Sequence, residues 1–204
     1  MTALIGASAS GKSVLLKCAA GLMPIGSGRL DVLDEENVSD WRPLRPRIGI
    51  LFQRNALFDN MSVWENVAFA LIRRGVPRQE ARNRAFEILS SVGLGERAAN
   101  GLPKDLSGGM QKRAAFARAV AGSPELLLLD DPIAGLDPVL AASVEYLIRH
   151  MVRRQQSTAL VVTSEVSRLA ERFDRVAILD EGCIQWSGAA ADLPPDAHPL
   201  LEAA

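Results

Sequence analysis

The sequence predicts an α/β fold in which helices cover both faces of a parallel β-sheet. The first observation is a series of short apolar runs, each unbroken rather than alternating between apolar and polar residues. Strands that are buried on both faces have this texture, and they are typical of parallel sheets. The second observation is that helical patterns separate most of these runs. The third is a glycine-rich turn over residues 6–13, between a strand and a helix.

The strands and helices are predicted at definite positions. The strands occupy residues 2–5, 29–33, 48–52, 126–129, 159–162 and 176–179. The helices of the α/β part occupy residues 14–20, 109–121, 139–154 and 166–173. Each of the later helices leads to a strand, as the crossover connections of a parallel sheet require.

Residues 57–109 have a different pattern of apolar and polar residues from the rest of the chain. Apolar residues recur there at helical spacing, and glycine or proline marks the breaks. We therefore expect a single domain over residues 1–204, in which a helical lobe at 57–109 is inserted into a core formed by 1–56 and 110–190. The remaining residues, 191–204, are expected to form a loosely held tail.

The composition argues against several classes of function. The 23 basic and 24 acidic residues give a net charge of −1, and aromatic residues make up 5% of the chain, so a nucleic-acid partner is not expected. No apolar run reaches the length of about 18 residues that crosses a bilayer. The two cysteines, Cys18 and Cys183, lack metal-binding spacing and are predicted to be reduced core thiols.

The glycine-rich turn matches the phosphate-binding pattern G-x-x-x-x-G-K-[ST] in the strand-to-helix context that this pattern needs. Its backbone N–H groups and the helix end that follows attract phosphate. Lys12 is predicted to reach the β- and γ-phosphates of a nucleotide, and the Ser13 hydroxyl is predicted to hold Mg²⁺. The predicted nucleotide-binding residues of this turn are Gly6, Ala7, Ser8, Ala9, Ser10, Gly11, Lys12, Ser13 and Val14.

A second part of the predicted site is the apolar strand that ends at Asp130. Because parallel strands end at the same edge of a sheet, this carboxylate is expected beside the glycine-rich turn, where it can hold the Mg²⁺ shell. ATP and Mg²⁺ are the cofactors that the two features together predict.

Another helix start with phosphate-binding character lies in the predicted helical lobe. Ser107 is a good N-cap, and Gly108 and Gly109 allow a close backbone approach. One nucleotide needs one phosphate cradle, so the second cradle is expected to serve a nucleotide held by another subunit. The sequence therefore predicts a head-to-tail dimer with two shared sites.

Taken in order along the chain, the motifs resemble those of ABC transporter nucleotide-binding subunits. They are the glycine-rich P-loop, Gln53 at a strand end, the signature at residues 106–111, the Asp130 strand and residues 134–137. The resemblance covers nearly the whole chain and implies a RecA-like P-loop core with an inserted helical subdomain. It also implies that Gln53 senses the γ-phosphate, contributes to the metal site and contacts an integral-membrane permease. Residues 134–137 would form the loop that crosses between subunits.

A narrower resemblance is to the phospholipid-trafficking (Mla/Mkl-type) branch of that family. It is carried by residues 52–53 with 56–59, by 62–69 and by 109–113. It implies a subunit that drives lipid movement between membranes with a permease, a second cassette subunit and a lipid-binding-domain protein. Such a subunit lies peripherally on the cytoplasmic face of the inner membrane.

Two residues depart from the family pattern at catalytic positions. Asp131 stands where the family has a glutamate that polarises the attacking water, and Ser164 stands where it has a histidine that contacts the γ-phosphate. Losing one methylene withdraws the carboxylate by roughly 1.5 Å, a misplacement that can cost on the order of 10²-fold in rate. The catalytic residues that the resemblance implies are Asp131, Gln53, Ser164 and Lys12.

The beginning of the chain also departs from the family. Family members carry an antiparallel β lobe ahead of the P-loop, with an aromatic residue that stacks on adenine, whereas five residues precede Gly6 here. A largely missing β lobe, from a truncated or wrongly assigned start, is therefore expected. Ala9 replaces a usual glycine, so the loop is expected to be strained if this position has a positive φ.

The sequence leaves two functional alternatives open. The chain is either an ATPase subunit slowed by Asp131 and Ser164, or a degenerate cassette that binds ATP and dimerises with weak or no hydrolysis. A third class, the soluble ABC ATPases of DNA repair or translation, carries two cassettes or a long coiled-coil insertion, and this sequence shows neither.

Overall fold

A six-stranded mixed sheet lies at the centre of the computed structural model, which describes residues 1–54, 56–164, 166 and 168–194. The strands are β1 (Thr2–Ile5), β2 (Ile48–Leu51), β3 (Leu126–Asp130), β4 (Thr158–Val162), β5 (Arg175–Asp180) and β6 (Cys183–Ala189). Their order across the sheet is β2-β3-β4-β1-β5-β6. The strands from β2 to β5 in this order are parallel, and β6 runs antiparallel to β5.

Helices occupy most of the connections between these strands. They are α1 (Lys12–Ala19), α2 (Val63–Arg73), α3 (Arg78–Ser91), α4 (Glu96–Asn100), α5 (Gly108–Val120), α6 (Pro138–Gln155) and α7 (Leu169–Arg172), with 3₁₀ turns at Arg45–Arg47, Pro103–Asp105 and Ala190–Asp192. The helices α2, α3 and α4 come between β2 and β3, where the helical lobe was predicted. They pack on one another, and α2 and α3 also pack on α5. The division of the chain into 1–56, 57–109 and 110–190 stays a prediction.

The core has two sides because successive side chains of a strand point to opposite faces of the sheet. Ala3 and Ile5 of β1 belong to the larger core, which also contains residues of α2, α5 and α6. Leu4 belongs to a smaller core that includes Leu16 of α1. All four residues are buried. This two-sided burial is what the unbroken apolar runs predicted, and it confirms the α/β layering.

Side-chain hydrogen bonds fix where the helices begin. Ser62 and Glu65 form a capping box at the start of α2, and the Asp137 carboxylate accepts two backbone N–H groups at the start of α6. Such caps contribute about 1 kcal/mol each. The fully buried Asn66 accepts a hydrogen bond from the Phe58 N–H and donates to three backbone carbonyls, which closes the turn ahead of α2.

The predicted strand at residues 29–33 is wrong. Residues 29–31 have no regular structure, Val32 forms one isolated bridge with Glu35, and Leu33 lies in a turn. Leu33 has a φ of 58°, so the backbone turns where a strand would continue.

The antiparallel strand β6 was missed by the prediction of an all-parallel sheet. It follows β5 through Glu181 and Gly182, which both have positive φ, as in a type I′ hairpin. Most of its residues are exposed or half-buried, so it lacks the apolar run that marks the other strands. The Glu-Gly pair after an apolar strand was the available signal.

Smaller differences concern a helix, the thiols and the tail. The last predicted helix, at residues 166–173, is reduced to the single turn of α7. Cys18 is half-buried and Cys183 is exposed, so neither is a core thiol. Residues 195–204 of the predicted tail lie outside the described residues.

Within the described ranges, no helix has both the length and the apolar character to cross a membrane.

Candidate nucleotide-binding site

The predicted site residues follow four neighbouring strands of the sheet. Gln53 comes after β2, Asp130 and Asp131 come at the end of β3, Ser164 follows β4, and the P-loop at residues 6–13 follows β1. These strands are parallel and adjacent in the order β2-β3-β4-β1. Because parallel strands end at a common edge, the topology brings four distant segments of the chain to one place.

The P-loop is wrapped around its own lysine. The Lys12 Nζ atom donates to the Gly6 carbonyl oxygen at 2.8 Å, to the Ala7 carbonyl oxygen at 2.5 Å and to Ser10 Oγ at 3.2 Å. Burial lowers the pKa of the Lys12 ammonium, and the two nearby carboxylates oppose that shift. The ammonium therefore lies inside the loop, where it could meet the phosphates of a nucleotide.

Backbone geometry restricts two positions of the P-loop. Gly6 has a φ of 150°, and a Cβ atom on it would lie 1.9 Å from the Leu179 carbonyl oxygen. Ala9 has a φ of 63°, so an L side chain occupies the left-handed region. This is the strained conformation that was expected at Ala9 if its φ were positive.

Ser13 and Asp130 form the candidate metal site. The Ser13 hydroxyl donates to Asp130 Oδ1 at 3.0 Å, and Asp130 is 6% exposed at the end of β3. Two adjacent protein oxygens fit Mg²⁺, which is usually held by one or two side chains together with phosphate oxygens and water. In the part of the chain that the structure describes, no group of three or more His, Cys, Asp or Glu side chains could hold a metal. A metal at this site would therefore take its other ligands from the nucleotide and from water.

Asp131 is held in a strained turn by several contacts. Its φ is 47°, in a region that costs an L residue roughly 1–2 kcal/mol. Its N–H donates to the Val162 carbonyl oxygen at 2.9 Å, and its carbonyl oxygen accepts from the Ala134 N–H at 3.3 Å. The Ser164 hydroxyl donates to Asp131 Oδ2 at 3.4 Å. Both the backbone and the carboxylate of Asp131 therefore have defined partners.

The surroundings of Asp131 also change its acidity. Burial raises the pKa of the Asp131 carboxyl, and the neighbouring Asp130 adds to the increase. The ammonium groups of Lys112 and Lys12 and the Ser164 hydroxyl act in the opposite direction. A carboxylate with a raised pKa is a better proton acceptor than an exposed aspartate, which suits a general base.

Lys112 is a site residue that the sequence prediction missed. It lies on α5, is 9% exposed, and places its Nζ atom 3.5 Å from the Asp131 carbonyl oxygen. Burial lowers the pKa of the Lys112 ammonium, and Asp131 opposes the shift. A lysine close to a run of alanines in a predicted helix was the available signal, because a buried lysine needs a partner.

The signature residues begin α5 as predicted. Ser107 caps the helix by accepting a hydrogen bond from the Met110 N–H at 3.3 Å. Gly108 is exposed, with open space where a Cβ atom would be. Gly109 is buried, and its Cβ atom would lie 2.2 Å from Leu140 Cδ2. Gly109 therefore leaves room for the half-buried Leu140 side chain of α6, a role that the sequence did not reveal.

The structure does not join the signature to the P-loop within one chain. Among the described residues, no hydrogen bond or ion pair links residues 107–109 to residues 6–13. Ser107, Gln53 and Val14 are exposed. These are groups that a second subunit, a nucleotide or a permease was expected to contact.

Comparison with known proteins decides the family. Residues 1–134 match the family described as ABC transporter. The chain belongs to the ABC transporter family. A dimeric structure of the ATP-binding cassette MJ0796, in a post-hydrolysis state bound to ADP and Pi, has the same fold with a TM-score of 0.83. It is 29% identical in sequence, and the match covers 93% of this chain and 85% of that one.

Relatives of this ABC cassette are named for different functions. The spermidine/putrescine import ATP-binding protein PotA of Roseobacter denitrificans is 39% identical over 93% of this chain and 52% of its own length. The methionine import ATP-binding protein MetN of Carboxydothermus hydrogenoformans is 36% identical over 93% of this chain and 57% of its own length. The protein TRIGALACTOSYLDIACYLGLYCEROL 3, chloroplastic, of Arabidopsis thaliana is 36% identical over 98% of this chain and 63% of its own length. The chain thus spans between about half and two thirds of these relatives.

The comparisons confirm the predicted ABC cassette fold, an ATPase domain with a P-loop core. The comparisons do not identify the predicted branch of the family, because two of these relatives are named for the import of polyamines and methionine. Mla/Mkl-type phospholipid traffic is therefore taken up below only as a proposal.

Proposed function

We propose that this cassette hydrolyses MgATP as part of a dimer and thereby drives a membrane permease. The observation that supports the proposal is the meeting of Lys12, the Ser13–Asp130 pair and the Asp131–Ser164 pair at one edge of the sheet. These three groups correspond to phosphate binding, metal binding and activation of water, which are the parts that phosphoryl transfer needs.

The phosphate-binding residues act first. Lys12 exchanges the loop carbonyls that it now contacts for the β- and γ-phosphate oxygens. Ser13 and Asp130 hold Mg²⁺, which neutralises charge on the phosphates when it is bound. The backbone N–H groups of the P-loop bind further phosphate oxygens. Gln53, which follows β2 at the same sheet edge, would contribute an amide oxygen to the metal site.

Asp131 accepts the proton of the attacking water. Its left-handed backbone and the Ser164 hydrogen bond hold the carboxylate in one orientation, which offsets part of the reach lost with the shorter side chain. Ser164 cannot supply the positive charge of an imidazolium, so it orients the base rather than stabilising charge on the γ-phosphate. We therefore expect slow but measurable turnover.

A variant of the P-loop lysine tests this function. Lys12→Ala should abolish hydrolysis and weaken ATP binding, because the ammonium that meets the phosphates is gone. Lys17→Ala is the matched control, since Lys17 lies in the last turn of the same helix α1. Both rates are measured as phosphate release under MgATP. If Lys12→Ala hydrolyses ATP at the unaltered rate, the proposed site is wrong.

The degenerate-cassette alternative rests on Asp131 and Ser164 themselves. It expects the double variant Asp131→Glu, Ser164→His to hydrolyse ATP far faster than the natural chain, with unchanged ATP affinity. Our proposal expects measurable turnover from the natural chain and a modest increase in the double variant, because the Ser164 hydrogen bond already orients Asp131 and a longer side chain enters the strained turn. Single-turnover hydrolysis, together with ATP binding measured by fluorescence, separates the two.

The dimer supplies the second half of each site. The exposed Ser107 and Gly108 at the start of α5 contact the nucleotide that the other copy holds in its P-loop. The dimeric structures of a related cassette support this arrangement. Residues 134–137 cross between the copies.

The permease docks next to Gln53. Phe58 and Phe69 expose 41% and 38% of their surfaces, with ring centroids 5.0 Å apart, and they line a groove along β2, the edge strand that Gln53 follows. Exposed aromatic pairs of this kind favour an apolar partner. Phe58→Ser with Phe69→Ser should leave basal hydrolysis intact and prevent its stimulation by the permease. In this arrangement the cassette lies peripherally on the cytoplasmic face of the inner membrane.

Phospholipid is the proposed cargo, with a lipid-binding-domain protein as a further partner. Support comes from the motif resemblance at residues 52–69 and 109–113 and from a relative whose name is that of a galactolipid. The competing cargoes are those named for other relatives, spermidine and methionine. Stimulation of the ATPase of the reconstituted transporter by phospholipid, and not by spermidine or methionine, would support the proposal. The reverse pattern would exclude phospholipid.

A further inference from the structure

We propose that Lys112 is a positioning residue for Asp131, so that the helix that begins with the signature also holds the hydrolytic turn of the same chain. The inference rests on the proposed ATP hydrolysis, because it assigns a role in that reaction. Lys112 does not contact the nucleotide in this proposal. It acts on the backbone of the residue that activates water.

The first argument is the environment of the ammonium. Lys112 is 9% exposed, and Ala114 and Ala115, two and three positions further along α5, are fully buried. Among the described residues its Nζ atom has one hydrogen-bond acceptor, the Asp131 carbonyl oxygen at 3.5 Å, and no salt bridge. A buried charge with a single partner is costly unless that partner stays in place. The position of the ammonium and the position of the Asp131 carbonyl are therefore linked.

The second argument is the strain in the turn. Asp131 has a φ of 47° and precedes a proline, and the residue before a proline is normally restricted to extended conformations. Strained residues persist only where the surroundings over-determine them. The Asp131 carbonyl oxygen accepts from both the Ala134 N–H and Lys112, and the Asp131 N–H donates to Val162. Among these donors and acceptors, Lys112 is the one that belongs to the signature helix.

The third argument is the position of Lys112 along α5. Ser107 caps this helix, and Lys112 follows five residues later, at a distance of about 7 Å along the axis. Within so short a span a helix behaves as a rigid body. Movement of the helix start therefore reaches the Asp131 turn directly.

The test replaces the ammonium and follows both the rate and the local structure. Lys112→Met should lower kcat on the order of 10- to 100-fold, because the carboxylate is displaced, while the ATP dissociation constant stays within about 2-fold. Lys112→Arg should restore most of the rate, since a guanidinium can reach the same carbonyl. Hydrogen exchange at the Ala134 N–H should accelerate in Lys112→Met and remain slow in Lys112→Arg. The matched control is Lys104→Met, an exposed lysine in the segment just ahead of α5.

The outcomes separate this inference from the proposed function. If the unaltered chain hydrolyses no ATP, the proposed function fails, and the exchange rate of the Ala134 N–H still decides whether Lys112 holds the turn. If Lys112→Met matches the unaltered chain in both kcat and exchange, Lys112 is not a positioning residue. If Lys112→Met does not fold, Lys112→Gln keeps a hydrogen-bond donor without the charge and is compared with Lys112→Arg. Equal loss of kcat and of ATP affinity would indicate a merely structural role and overturn the inference.

Discussion

Asp131 is half-buried, has a strained backbone and forms several hydrogen bonds. Its carboxylate has the Ser164 hydroxyl as a donor, its backbone is in the left-handed region, and burial raises its pKa. Aspartate is among the non-glycine residues that enter this region most readily, whereas a glutamate has no such preference. The shorter acid and the strained turn are therefore compatible with each other.

Asp131→Asn tests the role of the carboxylate. Hydrolysis should fall by about 10²-fold or more, since asparagine cannot accept the proton, and ATP binding should persist because Lys12, Ser13 and Asp130 are intact. Phosphate release and ATP affinity are measured in parallel. Asp192→Asn, at an exposed aspartate in the last 3₁₀ turn, is the control and should leave both unchanged. A fully active Asp131→Asn protein would exclude Asp131 as the base.

The raised pKa of Asp131 predicts opposite pH trends for rate and stability. Folding raises this pKa above its ordinary value of 3.8, so the folded chain binds the proton more tightly than the unfolded chain. Stability contributed by this group is therefore present at low pH and is lost as pH rises through the raised pKa. The hydrolysis rate should rise over the same interval as the base deprotonates. The pH profiles of kcat and of the unfolding free energy, each compared with Asp131→Asn, check the prediction.

Ala9 offers a second test at the residue scale. Ala9→Gly removes a left-handed cost of roughly 1–2 kcal/mol and adds about 0.5–1 kcal/mol of chain entropy, so the net gain should be near 0.5 kcal/mol. The control is Ala7→Gly in the same loop, where φ is not positive and the change should destabilise. Urea unfolding of the two variants gives the sign of each effect. Destabilisation by Ala9→Gly would show that the loop strain is compensated elsewhere.

At the scale of elements, two adjacent glycines at the start of α5 have different roles. Gly109→Ala should destabilise the fold by about 1 kcal/mol, because its methyl group would force the half-buried Leu140 side chain on α6 to move. Gly108→Ala meets open space and should leave stability nearly unchanged while lowering hydrolysis, since in the proposed dimer this residue faces the nucleotide of the other copy. Chemical denaturation and phosphate release are measured for both variants. Equal destabilisation by the two changes would contradict this assignment.

The elements also show what a sequence can reveal. The strands β1, β3, β4 and β5 are unbroken apolar runs, and their periodicity and order were enough to predict the sheet and the edge where the site forms. The strand β6 has no such run, and residues 29–33 have apolar residues without a sheet neighbour. Pairing with a neighbour decides both cases, and it cannot be read from a single segment.

The site was predictable to the extent that its chemistry is carried by short motifs. Lys12, Ser13 and Asp130 follow from a phosphate-binding loop and a strand end, and the structure brings the Ser13 hydroxyl to the Asp130 carboxylate, while their roles stay a prediction. Lys112 and the packing role of Gly109 were not predictable, because each depends on a contact between elements far apart in the chain. The left-handed backbone of Asp131 was also not predictable, because its contacts with Val162 and Lys112 join distant parts of the chain.

At the scale of the whole molecule, the two exposed halves of the site predict dimerisation that depends on ATP. Asp131→Asn should trap ATP and shift the chain to a dimer in size-exclusion chromatography with light scattering. Adding Ser107→Arg should return it to a monomer with ATP still bound, because the bulky cation blocks the signature surface without touching the P-loop. Lys104→Arg, on the same lobe, is the control and should leave the dimer intact. A dimer that forms equally without ATP would contradict shared sites.

The strand β1 lies in the middle of the sheet, and this placement affects how the protein folds. Thr2 pairs with Leu160 on one side and with Arg175 on the other. During synthesis, β1 therefore cannot pair until β4 and β5 have been made, near the end of the described chain. Pairings of such long sequence separation slow folding. A ligand that binds only the completed sheet cannot stabilise any earlier intermediate, so nucleotide can favour the finished cassette but cannot guide its assembly.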